Sequence, residues 1–552
     1  MHSRRSFLKT GAATLAATSA VATTARPLLA QLGRTREPVP AIQDDRIKAL
    51  ADRAIDTART AGASYADVRL VHTRMRYITG SASDFEWMTV GVRALTNGYW
   101  GFAGSPVWSA DEMVQLARQA VAHAKVGSLG RTRSVSLAPV AQPANGHWDM
   151  PVEIDPFTVP VGEIIDYKDS LERYAAYRAT ARGYGFRCQN SQSLMSTRSV
   201  AFGSTEGSYC TQRLFRTTGI YDWMLEDPAV LRATGQHITI PIRMDYLPWS
   251  GMGWELYRGQ PLRDYIDRLI EESIEDIHLP HKLVDVGRYD TVWDASSVAQ
   301  LTSATIGVAT EIDRVFGDEA NATGTSYLNA PFDMLGAYRI GPSFLTVTGN
   351  RNQPGGVATV KWDDDGVTPH EFQLVSQGRL NDLSTTRESA SWIAEYYAKT
   401  GKDLQSHGCA FGGQDIMSRG INIPVACTPN LTITPSDTTL DFDGCIAGVS
   451  KGIAFRGLQF DMDFQQSGGL GSAAITYEIR NGKRVAILDG AGTLFRATEL
   501  WKTLTTLGGA TSQRRFAVMT TKGEPPQLGY HSVWSVPAVF QQTSIIDVLR
   551  KA

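Results

Sequence analysis

Apolar side chains recur along this chain with two different spacings, and the switches between them mark its elements. Ile47, Leu50, Ala54, Ile55 and Ala58 fall three and four apart, which predicts a helix from Asp44 to Ala61 with Gly62 behind it. Residues 63–80 then alternate apolar and polar, as a half-buried strand does, and are followed by Phe85–Val92 and Gly91–Gly104. Asn97-Gly98 inside the last segment is a hairpin signal. A capping box from Ser109 to Glu112 opens a second helix ending near Lys125. Residues 127–155 read as loop, Asp155 to Arg182 as containing a charged helix, Gly185–Ser199 and Ser199–Phe215 as two strands, and Leu262–Ile277 as a helix. From Gly287 onward period two dominates: Tyr289–Trp293, Ala358–Asp363, Glu371–Val375, Asn430–Thr434, Ile475–Arg480 and Lys483–Leu488. Asn481-Gly482 makes a turn there, and a helix near Ser389–Lys399 interrupts the strands.

One helical pattern sits inside this strand-rich half. Val298, Leu301, Ala304, Val308, Ile312 and Val315 form a single stripe, predicting a continuous helix from Ser297 to Gly317. Asp294, Ser296 and Ser297 offer capping oxygens before it, and Gly317 ends it. The fold class is therefore α+β. An N-terminal α/β unit spans 44–126, a middle α+β region 127–282, and a mainly antiparallel β domain 283–547 carries the stripe helix.

Composition narrows the function classes. At 552 residues the chain exceeds one ordinary core, and 42% apolar with 20% charged residues is a globular balance. A net charge of −2 offers no basic surface for nucleic acid. The cysteines (188, 210, 409, 427 and 445) lack CxxC spacing, so neither a zinc ribbon nor a full disulfide framework is indicated; one pair could form in an oxidising compartment. At the N-terminus, Arg4-Arg5 in the frame Ser-Arg-Arg-x-Phe-Leu-Lys precedes an uncharged run from Thr10 to Ala25. This resembles a twin-arginine export signal over residues 1–30, with cleavage near Ala25 or Ala30. The run is shorter than the roughly 20 apolar residues of a spanning helix. Losing Arg4, Arg5, Lys9 and Arg26, and no acid, takes the charge from −2 to −6. The expected location is periplasmic, or otherwise exported, with no membrane span after cleavage.

Five stretches share a resemblance. Gly91-Val92-Arg93-Ala94 with Gly98-Tyr99-Trp100-Gly101-Phe102-Ala103, Ser204-Thr205-Glu206-Gly207, Glu311-Ile312-Asp313-Arg314 with Gly324-Thr325-Ser326, Asp363-Asp364-Asp365-Gly366 with Gly378-Arg379-Leu380, and Lys522-Gly523-Glu524-Pro525 through Pro537-Ala538 resemble motifs of the TldD/PmbA family of zinc-dependent peptidases, over roughly residues 45–547. The resemblance implies proteolysis of unfolded peptides at a helix carrying His-Glu-x-x-x-His, with a distant cysteine as third ligand. In such a site three side chains hold zinc, a fourth position keeps water, and the glutamate takes that water's proton.

In the register set by Gly307 and Glu311-Ile312-Asp313-Arg314, the resemblance puts the first histidine at Ser303, the glutamate at Ala304, the second histidine at Val308, and the cysteine at Thr520, or Met519 after a one-residue slip. Hydroxyls are poor zinc ligands at neutral pH, valine has no lone pair, and alanine cannot accept a proton. Ala304 and Val308 extend the apolar stripe, so the metal face is expected to be packed as core. Glu311 and Asp313 are retained, as braces of the helix end or as the first residues to test for residual function. No catalytic, cofactor or metal residue is therefore assigned.

Other chemistry is thin. His407-Gly408-Cys409 and His278-Leu279-Pro280-His281 pair ligand types without a third partner, and His370 and His531 read as isolated. His407 and Cys409 are expected to be ordinary loop residues. No Gly-x-Ser-x-Gly elbow occurs, and Ser303 has no histidine near it in sequence. The 363–366 run lacks EF-hand spacing and reads as a β-turn with solvated acids. Tyr99, Trp100 and Phe102 are expected to pack the N-terminal unit. The leading expectation is a metallopeptidase-like pseudoenzyme that needs no cofactor of its own, pairing with a TldD-like catalytic homologue or with itself, with peptide as substrate. The alternatives are a zinc peptidase with a rewired site and a stand-alone periplasmic peptide-binding protein.

Overall fold

A computed structural model describes residues 39–549, except 129–133, 230–231, 233–238, 244–246, 260 and 413–420. The export signal expected over residues 1–30 lies outside the described residues. The N-terminal part begins with helix α1 (Asp45–Thr60), whose N-cap Asp44 accepts from Arg46 N, and strands β1 (Tyr65–Ile78), β2 (Ala82–Thr96) and β3 (Tyr99–Ser105). The β2–β3 turn is the predicted one, with Asn97 and Gly98 both at positive φ (55° and 79°), as a two-residue hairpin loop requires. Helix α2 (Ala110–Gly127) follows, with Ser109 accepting from Glu112 N.

Strand β4 (Asn145–Asp149), helix α3 (Val161–Ala181), and strands β5 (Gly185–Ser204), β6 (Tyr209–Glu226) and β7 (Thr239–Arg243) come next, then helix α4 (Leu262–Ile277). The two strands expected to meet at Ser199 instead run on to Ser204 and from Tyr209, and 205–208 is the turn between them. Small and β-branched residues around Ser199 fit a pleat as well as a break, so only the cross-strand ladder decides. All seven strands join one sheet in the order β3-β2-β1-β5-β6-β4, with β7 on β6, so strands from both sides of residue 126 share it. Helices α1 and α2 bury Ile47, Ala54, Leu116 and Val121 on one part of this sheet, and α3 and α4 bury Leu171, Ile266 and Ile270 on another.

The C-terminal part holds two larger sheets. A ten-stranded mixed sheet has β8 (Gly287–Trp293) near its middle, paired parallel to Lys451–Arg456 and antiparallel to Ala538–Asp547. A six-stranded sheet runs from Arg379–Leu380 through β9 (Leu431–Ile433) to the hairpin of β10 (Arg514–Lys522) and β11 (Gln527–Ser535), with β10 at its edge. The largest apolar cluster lies here, centred on Trp293, Leu301, Ile306, Phe455 and Trp501.

Residues Ala358–Asp363, expected as a strand, are irregular. Side chains replace a ladder: Val357 N donates to Ser532 Oγ at 3.0 Å, Ala358 N to Asn430 Oδ1 at 3.1 Å, and Lys361 N to Gln212 Oε1 at 3.0 Å. The helix expected near Ser389–Lys399 is three short pieces: Arg387–Ala390, Ser391–Ile393 and Ala394–Thr400.

Candidate functional site

The stripe helix starts as predicted. Helix α5 (Ala295–Thr302) is capped by Asp294, which accepts from Ser297 N at 3.0 Å. It then departs from the regular α form. Ser303–Gly307 is a π segment and Val308–Thr310 a 3₁₀ turn, and the helix breaks at Glu311 (φ −63°, ψ 115°) before helix α6 (Ile312–Phe316). A continuous helix to Gly317 is thus not formed. Hydroxyls explain much of this: Thr302, Thr305 and Thr310 donate back to the carbonyls of Val298, Leu301 and Ile306 at 2.7, 2.6 and 2.8 Å. Tyr327 OH also donates to Thr305 O at 2.9 Å, and Ser326 Oγ to Ala309 O at 2.6 Å. Such competition for carbonyls bends helices and admits wider turns. The π turn also rotates the stripe, so Val308 is buried but Ala304 is only half-buried, not the full core position expected.

Ser303 is buried, and its Oγ lies 3.0 Å from His531 Nε2. In the β10–β11 hairpin Thr520 faces Gly529 and Val518 faces His531, so Thr520 and His531 lie diagonally on one face. Both line a cavity of about 50 Å³ together with Arg198, Arg351, Cys427 and Thr428. Thr520 Oγ1 donates to Gly529 O at 3.4 Å, and Met519 points to solvent. Burial pulls His531 down to about 4, so its imidazole is neutral at pH 7. The structure therefore brings Thr520 and His531 to one small cavity, and Ser303 to it only through its contact with His531. Sequence reasoning passed over His531. A signal existed: once 523–526 is read as the hairpin turn, the register places 531 opposite 518, on the face of 520.

Glu311 and Asp313 lie below this cavity in a buried charge cluster. Glu311 accepts from Arg314 Nε at 2.7 Å, Thr428 N at 2.9 Å, Thr428 Oγ1 at 2.8 Å and Lys522 Nζ at 3.0 Å. Asp313 accepts from Ala426 N at 3.1 Å, Arg314 N at 2.9 Å and the Lys522 ammonium. Although burial opposes its charge, Lys522 and Arg314 hold Glu311 down to about 2, whereas burial wins at Asp313 and lifts it to about 6. Both acids are spent on bracing the broken helix against the 425–428 segment and β10.

A zinc ion held by three side chains needs imidazole, thiolate or carboxylate donors. At Ser303 and in the cavity beside His531 the donors are the Ser303, Thr428 and Thr520 hydroxyls, a His531 nitrogen engaged with Ser303, and a Cys427 thiol that burial pushes up to about 11. Among the described residues no group of three or more His, Cys, Asp or Glu side chains is arranged to hold a metal. This donor set does not fit a catalytic zinc.

Other expected features change character. The acids of 363–366 are not solvated; all three aspartates are buried. Asp363 accepts from Ala410 N and Val367 N at 2.9 and 2.8 Å, Asp364 from Arg69 at 3.0 Å, and Asp365 from Arg93 at 2.6 Å and Arg387 N at 3.0 Å. The arginines come from β1 and β2, some 270 to 295 positions away, and no local pattern announces them. His407 and His370 are neither isolated nor ordinary loop residues. Their rings meet at 2.9 Å (Nδ1 to Nε2), and His407 Nε2 lies 3.2 Å from Asp382 Oδ1. His278 and His281 go separate ways, to Tyr184 OH at 2.5 Å and Asp489 at 3.0 Å. The described cysteines are all free thiols. Trp100 packs edge-on against Tyr65, and its Nε1 reaches across to Glu388 at 2.8 Å.

Comparison with known proteins agrees with this architecture. Family profiles match at two places: residues 66–124 as PmbA/TldA metallopeptidase domain 1, and 286–528 as the PmbA/TldA metallopeptidase C-terminal domain. A metalloprotease of Methanocaldococcus jannaschii is 22% identical over 449 residues, which is 78% of this chain and 86% of that protein. Among solved structures, TldE of Thermococcus kodakarensis superposes with a TM-score of 0.63 at 13% identity, covering 91% of this chain and 99% of that one. A Thermotoga maritima protein described as a DNA gyrase modulator gives 0.64 at 13% identity, covering 91% and 100%.

Proposed function

The chain belongs to the PmbA/TldD metallopeptidase family, and from that premise we propose that it is a non-catalytic member, exported by the twin-arginine route, which holds peptide for a zinc-bearing homologue. The observation that carries this is the chemistry at the stripe helix. At the positions that the family resemblance assigns to ligands and general base stand Ser303, Ala304, Val308 and Thr520, and the Ser303 hydroxyl is engaged with His531 at 3.0 Å. The retained acids Glu311 and Asp313 are neutralised by Arg314 and Lys522, so neither is left to act on water. Substrate would be held by strand edges, and β10, which carries Thr520, is the edge of the six-stranded sheet. The expected location is the periplasm, and the expected assembly a heteromer with a TldD-like partner; a homodimer is the other arrangement consistent with this reading.

The test is metal analysis and affinity capture. The full-length chain, expressed in its host, is expected to purify without stoichiometric zinc, to leave an unstructured peptide uncut by itself, and to bring down a homologue carrying the intact motif. Stoichiometric zinc with chelator-sensitive cleavage would sink the proposal. The variant Ser303→His/Ala304→Glu/Val308→His/Thr520→Cys is the control, expected to gain zinc.

A further inference from the structure

A second and larger cavity, about 870 Å³, lies where α4 faces the C-terminal sheets. The first turn of α5 and the start of β10 form its floor, through Ala295, Ser296 and Arg515, and Met252, Tyr265 and Trp534 supply apolar wall. Its volume is that of a site for a ligand of several residues or a drug-sized molecule, not of a single small ion.

Five acids line this cavity, Glu272, Asp276, Asp294, Asp441 and Asp443, and each has a partner within the chain, Asp443 facing Arg484 at 3.8 Å. Glu272 pairs with Arg456 at 3.0 Å, and Asp276 accepts from Tyr477 OH at 2.6 Å. Asp294 accepts from Ser296 Oγ, Ser297 N and Gly457 N at 2.7, 3.0 and 3.2 Å, and Asp441 caps the Phe442–Ala447 helix through Gly444 N at 2.8 Å. Arg515 is different. Its guanidinium donates to Gly355 O at 2.8 Å and Ser250 Oγ at 2.7 Å and touches Met252 Sδ at 3.4 Å, all neutral acceptors. Its Nε is buried without a hydrogen-bond partner, and among the described residues its bonds go to Met252, Gly355 and Ser250, none of them a carboxylate. Burial alone lowers its pKa, to about 10, so the group remains cationic at neutral pH. A desolvated guanidinium without a counter-charge is costly in the absence of a ligand and is a strong, fork-shaped donor to a carboxylate in its presence. Exposed Arg268 and Arg514 share the rim with exposed Asp441 and Asp443, so the cation without a counter-charge is Arg515 itself.

We propose that this cavity is a peptide subsite in which Arg515 anchors the C-terminal carboxylate of the bound peptide. The inference rests on the peptide-holding role given above. One feature favours a peptide over a small free carboxylate: the apolar wall beside the cation, from Met252, Tyr265 and Trp534, can accept side chains.

The experiment measures binding of a fluorescent, unstructured peptide to the full-length chain, with its C-terminus either free or amidated. The free acid is expected to bind about tenfold or more tightly than the amide, the scale of losing a charge-assisted fork. Arg515→Met is expected to remove that difference, and Arg515→Lys to retain part of it. Because the acid and amide are first compared on the unaltered chain, misfolding of a variant cannot mimic or hide the effect. Equal affinity for the two peptides overturns the carboxylate anchor and leaves the peptide-holding role standing. A preference abolished by changing internal Glu to Gln, and not by amidation, also overturns it, in favour of a side-chain carboxylate. Failure of either peptide to bind removes the peptide-holding role, and this subsite with it.

Discussion

His531 occupies its buried position as a neutral imidazole, with Nε2 against Ser303 Oγ at 3.0 Å. Burial sets its folded pKa near 4, against an ordinary 6.5. A base with a depressed folded pKa binds fewer protons when folded than unfolded between those values, so stability falls as the pH drops from 6.5 toward 4. The contribution is of order 3 kcal/mol. Asp313 works in the other direction, since its folded pKa of about 6 against 3.8 favours the folded state as the pH falls through that window. Urea unfolding of His531→Gln from pH 7 to 4 is expected to show a weaker acid loss than the unaltered chain; an unchanged profile would mean that His531 does not titrate in this way. Removing Lys522 acts through charge rather than pH. Lys522→Met leaves Glu311 and Asp313 with one fewer buried cation, and a loss of about 3–5 kcal/mol is expected in the same unfolding measurement at pH 7. A loss below about 1 kcal/mol would show that the cluster relaxes or hydrates.

The stripe helix is where element-scale packing overrides local pattern. Gly307 lies where its π segment crosses the segment that leads from Thr428 into β9. A Cβ there would stand 2.7 Å from Thr428 Cγ2 and 2.8 Å from Leu431 Cδ1. Gly307→Ala is therefore expected to cost about 1–3 kcal/mol despite alanine's better helix propensity, as judged by thermal or urea unfolding. If the substitution stabilises the chain, the close approach is not rigid. The same crossing explains why the break falls at Glu311: its carboxylate is pulled to Thr428 and Lys522, and Ile312 N donates to Ser384 O at 3.3 Å instead of continuing the helix.

For the whole molecule, the N-terminal sheet is tied to the C-terminal part through buried ion pairs more than through a shared sheet. Arg69 with Asp364 and Arg93 with Asp365 cross between the two parts and are nearly inaccessible, and Arg387 reaches back to Glu206 at 2.8 Å. Removing one partner of a buried pair leaves the other uncompensated. Asp365→Ala is thus expected to lower the midpoint of unfolding and to split one calorimetric transition into two, with the N-terminal part melting first. A single transition at the original midpoint would show that this contact does not couple the two parts.

Period and turn chemistry made much of the fold legible. The Asp44–Ala61 and Leu262–Ile277 helices, the Asn97-Gly98 and Asn481-Gly482 hairpins and the Ser109 N-cap rest on interactions within a few residues, and each forms where the pattern puts it; of the expected capping box only the Ser109 half, accepting from Glu112 N, is seen. The candidate site was legible only as a place. Ser303 and Thr520 could be named from the family resemblance, but not the histidine between them, because His531 reaches Ser303 across 228 positions. The aspartates of 363–366 were misread for the same reason: an acid run beside a glycine looks solvated until arginines from another sheet arrive. Local sequence thus determined which segments become helix, strand or turn and which side chains stand on the stripe. Tertiary structure decided how the stripe helix breaks, which charges are buried together, and that Arg515 faces a cavity without a carboxylate partner among the described residues. Desolvation and charge pairing depend on what surrounds a group in space, and that surrounding is assembled only when distant strands meet.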